Sequence, residues 1–121
     1  MSDKALIIVA HGSRKASSNE EVRTLGDNVR ALRDKEYAYV TTSFLEFAKP
    51  SLKESILSCI DKGIGEIVIL PYFLASGHHV TRDIPEVIDD IRSSYPQIKI
   101  TLKAHLGSST GMVRLLNDMA K

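Results

Sequence analysis

Four aliphatic segments alternate with segments of helical periodicity along the 121-residue chain, and this alternation constrains the fold more than any other feature. The aliphatic segments are "ALIIVA" at 5–10, "YAYVTTSFL" at 37–45, "EIVILPYFL" at 66–74 and "IKITL" at 98–102. Continuous apolar runs are typical of strands buried on both faces, whereas the alternation in "IKITL" is typical of an edge strand. The pattern therefore predicts an α/β fold with three αβα layers around a four-stranded parallel sheet.

Helix start signals follow the first three of these segments. Ser-x-x-Glu spacing and a capping threonine predict three helix starts, at Ser18 with Glu21, at Ser51 with Glu54, and at Thr81. A last helix is predicted to begin near Ser109 and to bury its apolar residues, which are Met112, Leu115, Leu116 and Met119.

Length and composition narrow the class of protein. A chain of 121 residues without a linker is expected to form one domain, residues 1–121. Its formal net charge of +1, from 16 basic and 15 acidic residues, argues against a nucleic acid or an anionic membrane as the partner. The single cysteine, Cys59, and the short apolar run near the N-terminus predict a cytoplasmic protein.

The four histidines, His11, His78, His79 and His105, all follow predicted strands at their carboxyl ends. In open parallel sheets, ligands bind beyond these ends, at the point where the strand order reverses. The first and third strands are commonly neighbours there, so the imidazoles of His11 and of the 78–79 pair are expected to converge. Two neutral imidazoles form an open site for a divalent first-row metal ion, with Glu46 as a third ligand or as a base.

The same residues also have ordinary structural explanations. A histidine before a glycine often does no more than cap a turn, and this applies to His11. His105 is expected to be structural or peripheral. The charged side chains nearby are most simply solvated, and Cys59 is expected to fill a small space in the core. These charged residues are Arg14, Lys15 and Arg82.

Four motifs together resemble the small class II tetrapyrrole metal chelatases, which are the sirohydrochlorin cobaltochelatases and ferrochelatases. They are "VAHGSR", "FLEFAKP", "PYFLASGHHVTRDIP" and "HLGSSTGMVRLL", in the family's order and over most of the chain. The third is the most specific. The resemblance implies a chelatase-like, flavodoxin-like doubly wound sheet and an enzyme, a lyase that forms nitrogen–metal bonds.

By motif position, the resemblance implies that His11 and His79 bind the metal and that Glu46 is the active-site acid. It further implies a homodimer and a tetrapyrrole substrate that receives Co²⁺, Fe²⁺ or Ni²⁺ for cobalamin or sirohaem synthesis, with no organic cofactor. The rings of His11 and His79 are expected to face one another across a cavity that admits a flat macrocycle. The residues implied to bind the tetrapyrrole are Ser13, Arg14, Leu45, Ser76, Gly77, His78, Thr81 and Arg82.

Other functions fit these residues less well. A non-catalytic carrier of metal or tetrapyrrole would have the same histidines but less need of the Glu46 base. A histidine phosphatase would place an arginine immediately before the first histidine, where this chain has Ala10. The glycine motifs of nucleotide-binding proteins do not follow the first predicted strand.

Overall fold

A computed structural model describes residues 3–121 and contains one sheet of four parallel strands. The strands are β1 (Lys4–Ala10), β2 (Tyr39–Phe44), β3 (Glu66–Pro71) and β4 (Lys99–Leu102), and their order in the sheet is β2-β1-β3-β4. The order reverses between β1 and β3, as in a doubly wound sheet. The predicted fold class is confirmed, and the alternating fourth segment is an edge strand as expected.

Helices follow each strand. The α-helices are α1 (Ala16–Leu32), α2 (Leu52–Asp61), α3 (Ile84–Ser94) and α4 (Gly111–Met119). A π-helical turn, His79–Asp83, leads directly into α3, and a short 3₁₀ turn, Leu106–Ser108, precedes α4. Within residues 3–121, no helix is both long and apolar enough to cross a membrane.

The main core lies on one face of the sheet, between the strands and the helices α2 and α3. Its strand residues, such as Ile7, Ile67 and Ile69, are fully buried, and Ile56 of α2 and Ile84 of α3 pack against them. Cys59 is buried in the same core, as predicted. A smaller cluster lies on the opposite face, which α1 covers, and consists of Leu6, Ile8, Val40 and Val68.

One of the three predicted helix starts is confirmed. The Ser51 hydroxyl accepts the Glu54 N–H at 3.1 Å, and the Glu54 carboxylate accepts the Ser51 N–H at 2.9 Å, so this capping box is complete. The box at Ser18 is wrong because α1 already begins at Ala16. Thr81 is not a cap either: the chain is helical from His79, and the Thr81 hydroxyl donates to the Gly77 carbonyl.

The predicted burial of the last helix is wrong. Leu115, Leu116 and Met119 are 51%, 59% and 74% exposed, and Met112 is only partly buried. The periodicity correctly identified an amphipathic helix, but α4 extends away from the sheet after the 3₁₀ turn. This turn is held in place because the Gly107 N–H donates to the Phe73 carbonyl.

Candidate metal centre

The pairing of β1 with β2 continues past the strand ends and places Glu46 beside His11. The Leu45 N–H donates to the Ala10 carbonyl at 3.0 Å, and the Glu46 N–H donates to the His11 carbonyl at 2.9 Å. Two loops that would otherwise diverge therefore stay in register at the edge of the sheet where the strands end, here called the carboxyl edge.

Gly12 makes this close approach possible. Its φ of +95° lies in the left-handed region, and a Cβ at this position would lie 1.8 Å from the Glu46 carbonyl oxygen. Any side chain would push the two loops apart. Glycine is therefore required after His11 so that the loop containing Glu46 can approach this closely.

His79 reaches the same point from the other side of β1. Because β3 pairs directly with β1, the segment after β3 returns across the carboxyl edge, and the π-helical turn begins at His79. The rings of His11 and His79 pack edge to face, with centroids 4.6 Å apart and planes at 61°. No macrocycle fits between rings in contact, so the expected cavity between them is wrong and the open side of the pair faces solvent.

Three potential metal ligands meet here: His11, Glu46 and His79 each offer one ligand atom, and these atoms lie within 4.8 Å of one another. His11 Nε2 is 2.9 Å from Glu46 Oε2. With metal–nitrogen bonds of about 2.1 Å, two ligands of one ion lie at most about 4.2 Å apart. Small side-chain rotations are therefore enough for the three to share an ion.

Oxygen acceptors face both nitrogens of the His11 ring. Nδ1 is 2.9 Å from the Gly12 carbonyl oxygen, while Nε2 faces the Glu46 carboxylate. A neutral imidazole has one N–H and one lone pair, so it can donate to only one of these acceptors. With the hydrogen on Nδ1 and bonded to the Gly12 carbonyl, the Nε2 lone pair and the Glu46 carboxylate lie side by side, an arrangement suited to a positive ion.

Aromatic side chains border the cluster. The Phe47 ring lies 6.1 Å from the His11 ring, and the Arg14 guanidinium lies 4.8 Å from the centre of the Phe47 ring. On the other side, the Phe73 ring stacks against His79 at 6.3 Å. Phe47 is 53% exposed and has a φ of 64°, a conformation unfavourable for a residue with a side chain.

The structure distributes the predicted tetrapyrrole-binding residues unevenly. Arg14 lies beside the cluster, and the half-buried Leu45 packs on the main core. Ser13 holds the β1–α1 loop, because its backbone N–H and carbonyl both bond to the buried Asn19 side chain. The remaining ones are all exposed and lie in or before the π-helical turn: Ser76, Gly77, His78, Thr81 and Arg82.

Two histidines lie outside the cluster. His78 is exposed immediately before the π-helical turn. His105 lines a separate cavity of about 640 Å³ that also includes Arg33 and Lys103.

Sequence reasoning missed Phe47, Phe73 and Asp83. The Asp83 carboxylate forms a hydrogen bond with the His79 ring, with 2.7 Å between Oδ2 and Nδ1. The spacing of four residues within "HVTRD" was an available signal, because such residues lie on one face of a helix. Nothing in the sequence indicated the left-handed backbone of Phe47 or the positions of the two aromatic rings.

A doubly wound parallel sheet with a histidine and carboxylate cluster at its switch point defines an α/β protein with a candidate site for a cationic ligand. The chain belongs to the CbiX family, whose sequence model matches residues 5–121.

Named relatives agree with this family. The chain is 32% identical over 114 residues to the chloroplastic sirohydrochlorin ferrochelatase of Arabidopsis thaliana, covering 93% of this chain and 49% of the relative. It is 34% identical over 85 residues to the sirohydrochlorin cobaltochelatase of Methanococcus maripaludis, covering 70% and 58%. The chain thus spans about half the length of these relatives.

Solved structures give the same result for the fold. The sirohydrochlorin chelatase SirB from Bacillus subtilis subspecies spizizenii, in complex with cobalt, superposes with a TM-score of 0.86 at 26% identity, over 98% of this chain and 50% of that one. SirB from Bacillus subtilis with Fe³⁺ has a TM-score of 0.85 at 26% identity, over 96% and 45%.

Proposed function

We propose that the chain is a sirohydrochlorin chelatase, a lyase that inserts a divalent metal ion into the tetrapyrrole for cobalamin or sirohaem synthesis. Co²⁺ is the first candidate for the metal, and Fe²⁺ and Ni²⁺ are the alternatives. The convergence of His11, Glu46 and His79 at the carboxyl edge carries the proposal. It is supported by the names of the relatives, which include cobaltochelatases and a ferrochelatase.

The metal ion is a substrate in this reaction, and His11 and His79 would bind it. Two imidazoles leave most coordination positions to water, whereas a structural zinc site uses four protein ligands. Incomplete coordination favours transfer, because the four pyrrole nitrogens of the product bind the ion more completely than the protein does. The side chains of His11 and His79 are 42% and 38% exposed, which keeps the ion reachable from solvent.

Glu46 would act as the base. Insertion of a divalent ion releases two protons from pyrrole nitrogens, and a carboxylate beside the ion can accept them in turn. Its side chain is 50% exposed, so each accepted proton can pass on to water.

The tetrapyrrole would approach from the open side of the histidine pair. Phe47, whose ring lies 6.1 Å from the His11 ring, is 53% exposed and offers apolar surface to a flat macrocycle. Arg14, held beside Phe47, would pair with a peripheral carboxylate. We include the other predicted contacts in this proposal: Ser13, Leu45, Ser76, Gly77, His78, Thr81 and Arg82.

A homodimer in the cytoplasm is also part of the proposal. The cluster is open to solvent, so a second copy would close over a large planar substrate bound there. The exposed Leu115, Leu116 and Met119 of α4 give each copy an apolar surface. Sedimentation velocity would test this, and a single monomeric species at micromolar and millimolar concentrations would contradict it.

Anaerobic metal insertion tests the activity. Sirohydrochlorin is mixed with Co²⁺, Fe²⁺ or Ni²⁺, with and without the protein, and the change in the absorption spectrum is followed. We expect the protein to accelerate insertion of at least one ion strongly. Rates equal to the protein-free rates for all three ions would contradict a chelatase.

Adjacent histidines provide a matched control for the ligand assignment. His11→Ala and His79→Ala are each expected to abolish insertion while the circular dichroism spectrum stays unchanged. His78→Ala removes a proposed tetrapyrrole contact and not a metal ligand, so it is expected to lower the rate much less than the other two substitutions. Equal losses in all three variants would show that the assignment is wrong.

Glu46→Gln separates an enzyme from a carrier. The amide cannot accept a pyrrole proton, so insertion is expected to slow by about 10²–10⁴-fold while Co²⁺ still binds. If the wild-type protein binds both Co²⁺ and sirohydrochlorin without accelerating insertion, and Glu46→Gln behaves identically, the non-catalytic carrier is the better description.

A further inference from the structure

His79 and Asp83 form a carboxylate–histidine pair within one helical turn. Asp83 Oδ2 lies 2.7 Å from His79 Nδ1, a short distance for a bond to nitrogen. The two residues begin and end the π-helical turn, in which the Ile84 N–H donates to the His79 carbonyl. The wide turn thus brings the carboxylate directly behind the imidazole.

This contact determines which nitrogen of His79 is available. Asp83 presents an acceptor to Nδ1, so a neutral ring places its single hydrogen there and leaves the lone pair on Nε2. Nδ1 is occupied by the carboxylate, so Nε2 is the nitrogen that can serve the cluster with His11 and Glu46. Carboxylates behind metal-binding histidines also raise the basicity of the ligating nitrogen.

Asp83 is itself held by a rigid element. The next residue, Ile84, is fully buried in the main core, as is Ile88 one turn later. His11 differs in this respect, because its Nδ1 faces only the neutral Gly12 carbonyl of its own loop. A carboxylate at Nδ1, behind the ring, therefore belongs to His79 and not to His11.

We infer that Asp83 is a positioning residue for metal binding, which fixes the Nδ1–H tautomer and the orientation of His79 so that Nε2 faces the ion. This inference rests on the proposed metal site. Binding of Co²⁺ by the protein alone tests it separately from insertion, since a site that binds without catalysis would contradict only the proposed activity.

The same helical segment contains a matched control. Arg82 and Glu86 are also spaced by four residues and bonded at 3.1 Å, but both side chains are more than 60% exposed and neither belongs to the cluster. Glu86→Ala thus removes an i,i+4 carboxylate partner from the surface of this segment, whereas Asp83→Ala removes the one behind His79.

Co²⁺ titrations, followed by d–d absorption, measure the effect. Asp83→Ala is expected to weaken Co²⁺ binding by about 10–100-fold. In insertion assays it should raise KM for the metal while leaving KM for sirohydrochlorin unchanged. Asp83→Asn, which keeps an acceptor without the charge, is expected to fall between Asp83→Ala and the wild type. Glu86→Ala should stay within twofold of the wild type.

A measurement on the metal-free wild type does not depend on the folding of any variant. The ¹⁵N shifts of the His79 ring at pH 8.5 are expected to show hydrogen on Nδ1 and a bare Nε2. Hydrogen on Nε2, or equal Co²⁺ affinities for Asp83→Ala and Glu86→Ala, would overturn the inference. If His79→Ala also leaves Co²⁺ affinity unchanged, the proposed metal site is wrong as well as the inference about Asp83.

Discussion

The strands and the loops that follow them differ sharply within two or three residues. Val9 and Phe44 are fully buried at the ends of β1 and β2, whereas His11 and Glu46, two residues further along, have side chains 42% and 50% exposed. Before the strand ends, most side chains are buried, and those of β1 and β3 are mostly aliphatic. Beyond them, the side chains of the candidate site are polar and partly exposed. The residues that stabilise the fold and the residues of the candidate site are thus different members of the same segments. Mutations in the core should change the free energy of unfolding without changing metal affinity, and mutations in the site should do the reverse.

Truncation in the main core should give the largest effect on stability. Ile69 is fully buried in β3, so Ile69→Ala is expected to lower the free energy of unfolding by about 2–5 kcal/mol. Urea unfolding measures the change. Ile69→Val should cost about 0.5–1.5 kcal/mol. Any Ile69→Ala protein that remains folded should keep the Co²⁺ affinity of the wild type. A loss of affinity in proportion to the loss of stability would show that the core and the site are not independent.

At the carboxyl edge, Phe47→Gly should raise the stability of the protein, whereas truncation in the core lowers it. Glycine accepts the φ of 64° without cost, whereas an L-residue loses about 1–2 kcal/mol in this region. The greater freedom of glycine in the unfolded chain offsets about 0.4–1 kcal/mol of this gain. We expect the free energy of unfolding to rise by between zero and about 1.6 kcal/mol.

The same substitution should impair the reaction. Without the exposed ring, KM for sirohydrochlorin is expected to rise, while Phe47→Leu, which keeps apolar area and the unfavourable φ, should affect KM less and bring no gain in stability. A loss of stability in Phe47→Gly would show that the ring supports the fold rather than the substrate.

The sequence was most informative where the structure depends on local chemistry or on continuous burial. The capping box of Ser51 and Glu54 is a contact between neighbours, so spacing alone predicts it. The box at Ser18 has the same spacing, but the Asn19 side chain holds the preceding loop through Ser13, and α1 begins before Ser18 is reached. The competing contacts are specific to this loop, and no general pattern describes them.

The sequence predicted the three residues of the cluster but not the residues that surround them. Parallel strands bring their carboxyl ends together, which places His11, Glu46 and His79 at one edge from topology alone. The π-helical turn that brings Asp83 behind His79, and the left-handed residue that presents Phe47, depend on backbone geometry that residue types do not specify. The amphipathic pattern of α4 likewise predicts an apolar face but not what covers it.

Glu54→Gln should produce a smaller, pH-dependent effect at the start of α2. Hydrogen bonds from the Ser51 backbone N–H and then the Ser51 side chain lower the pKa of Glu54 below its usual 4.5. A pKa lowered by folding means that the ionised carboxylate contributes stability above pH 4.5, and that this contribution is lost as the pH falls through the folded value. The wild type should be slightly more stable than Glu54→Gln at pH 7, and the two urea midpoints should approach each other as the pH falls below 4.5. A gap that widens toward low pH would contradict this assignment.

Leu116→Ala on α4 should have the smallest effect, although it removes the same chemical groups as a core truncation. The side chain is 59% exposed and α4 extends away from the sheet, so no cavity forms and little apolar burial is lost. In dilute protein the free energy of unfolding is expected to change by less than about 0.5 kcal/mol. If a second copy covers α4, the wild type should gain stability over the variant as protein concentration rises, because association stabilises the folded state by mass action. A loss of about 2 kcal/mol or more that is independent of concentration would instead mean that α4 packs against its own sheet in solution, as its periodicity suggested.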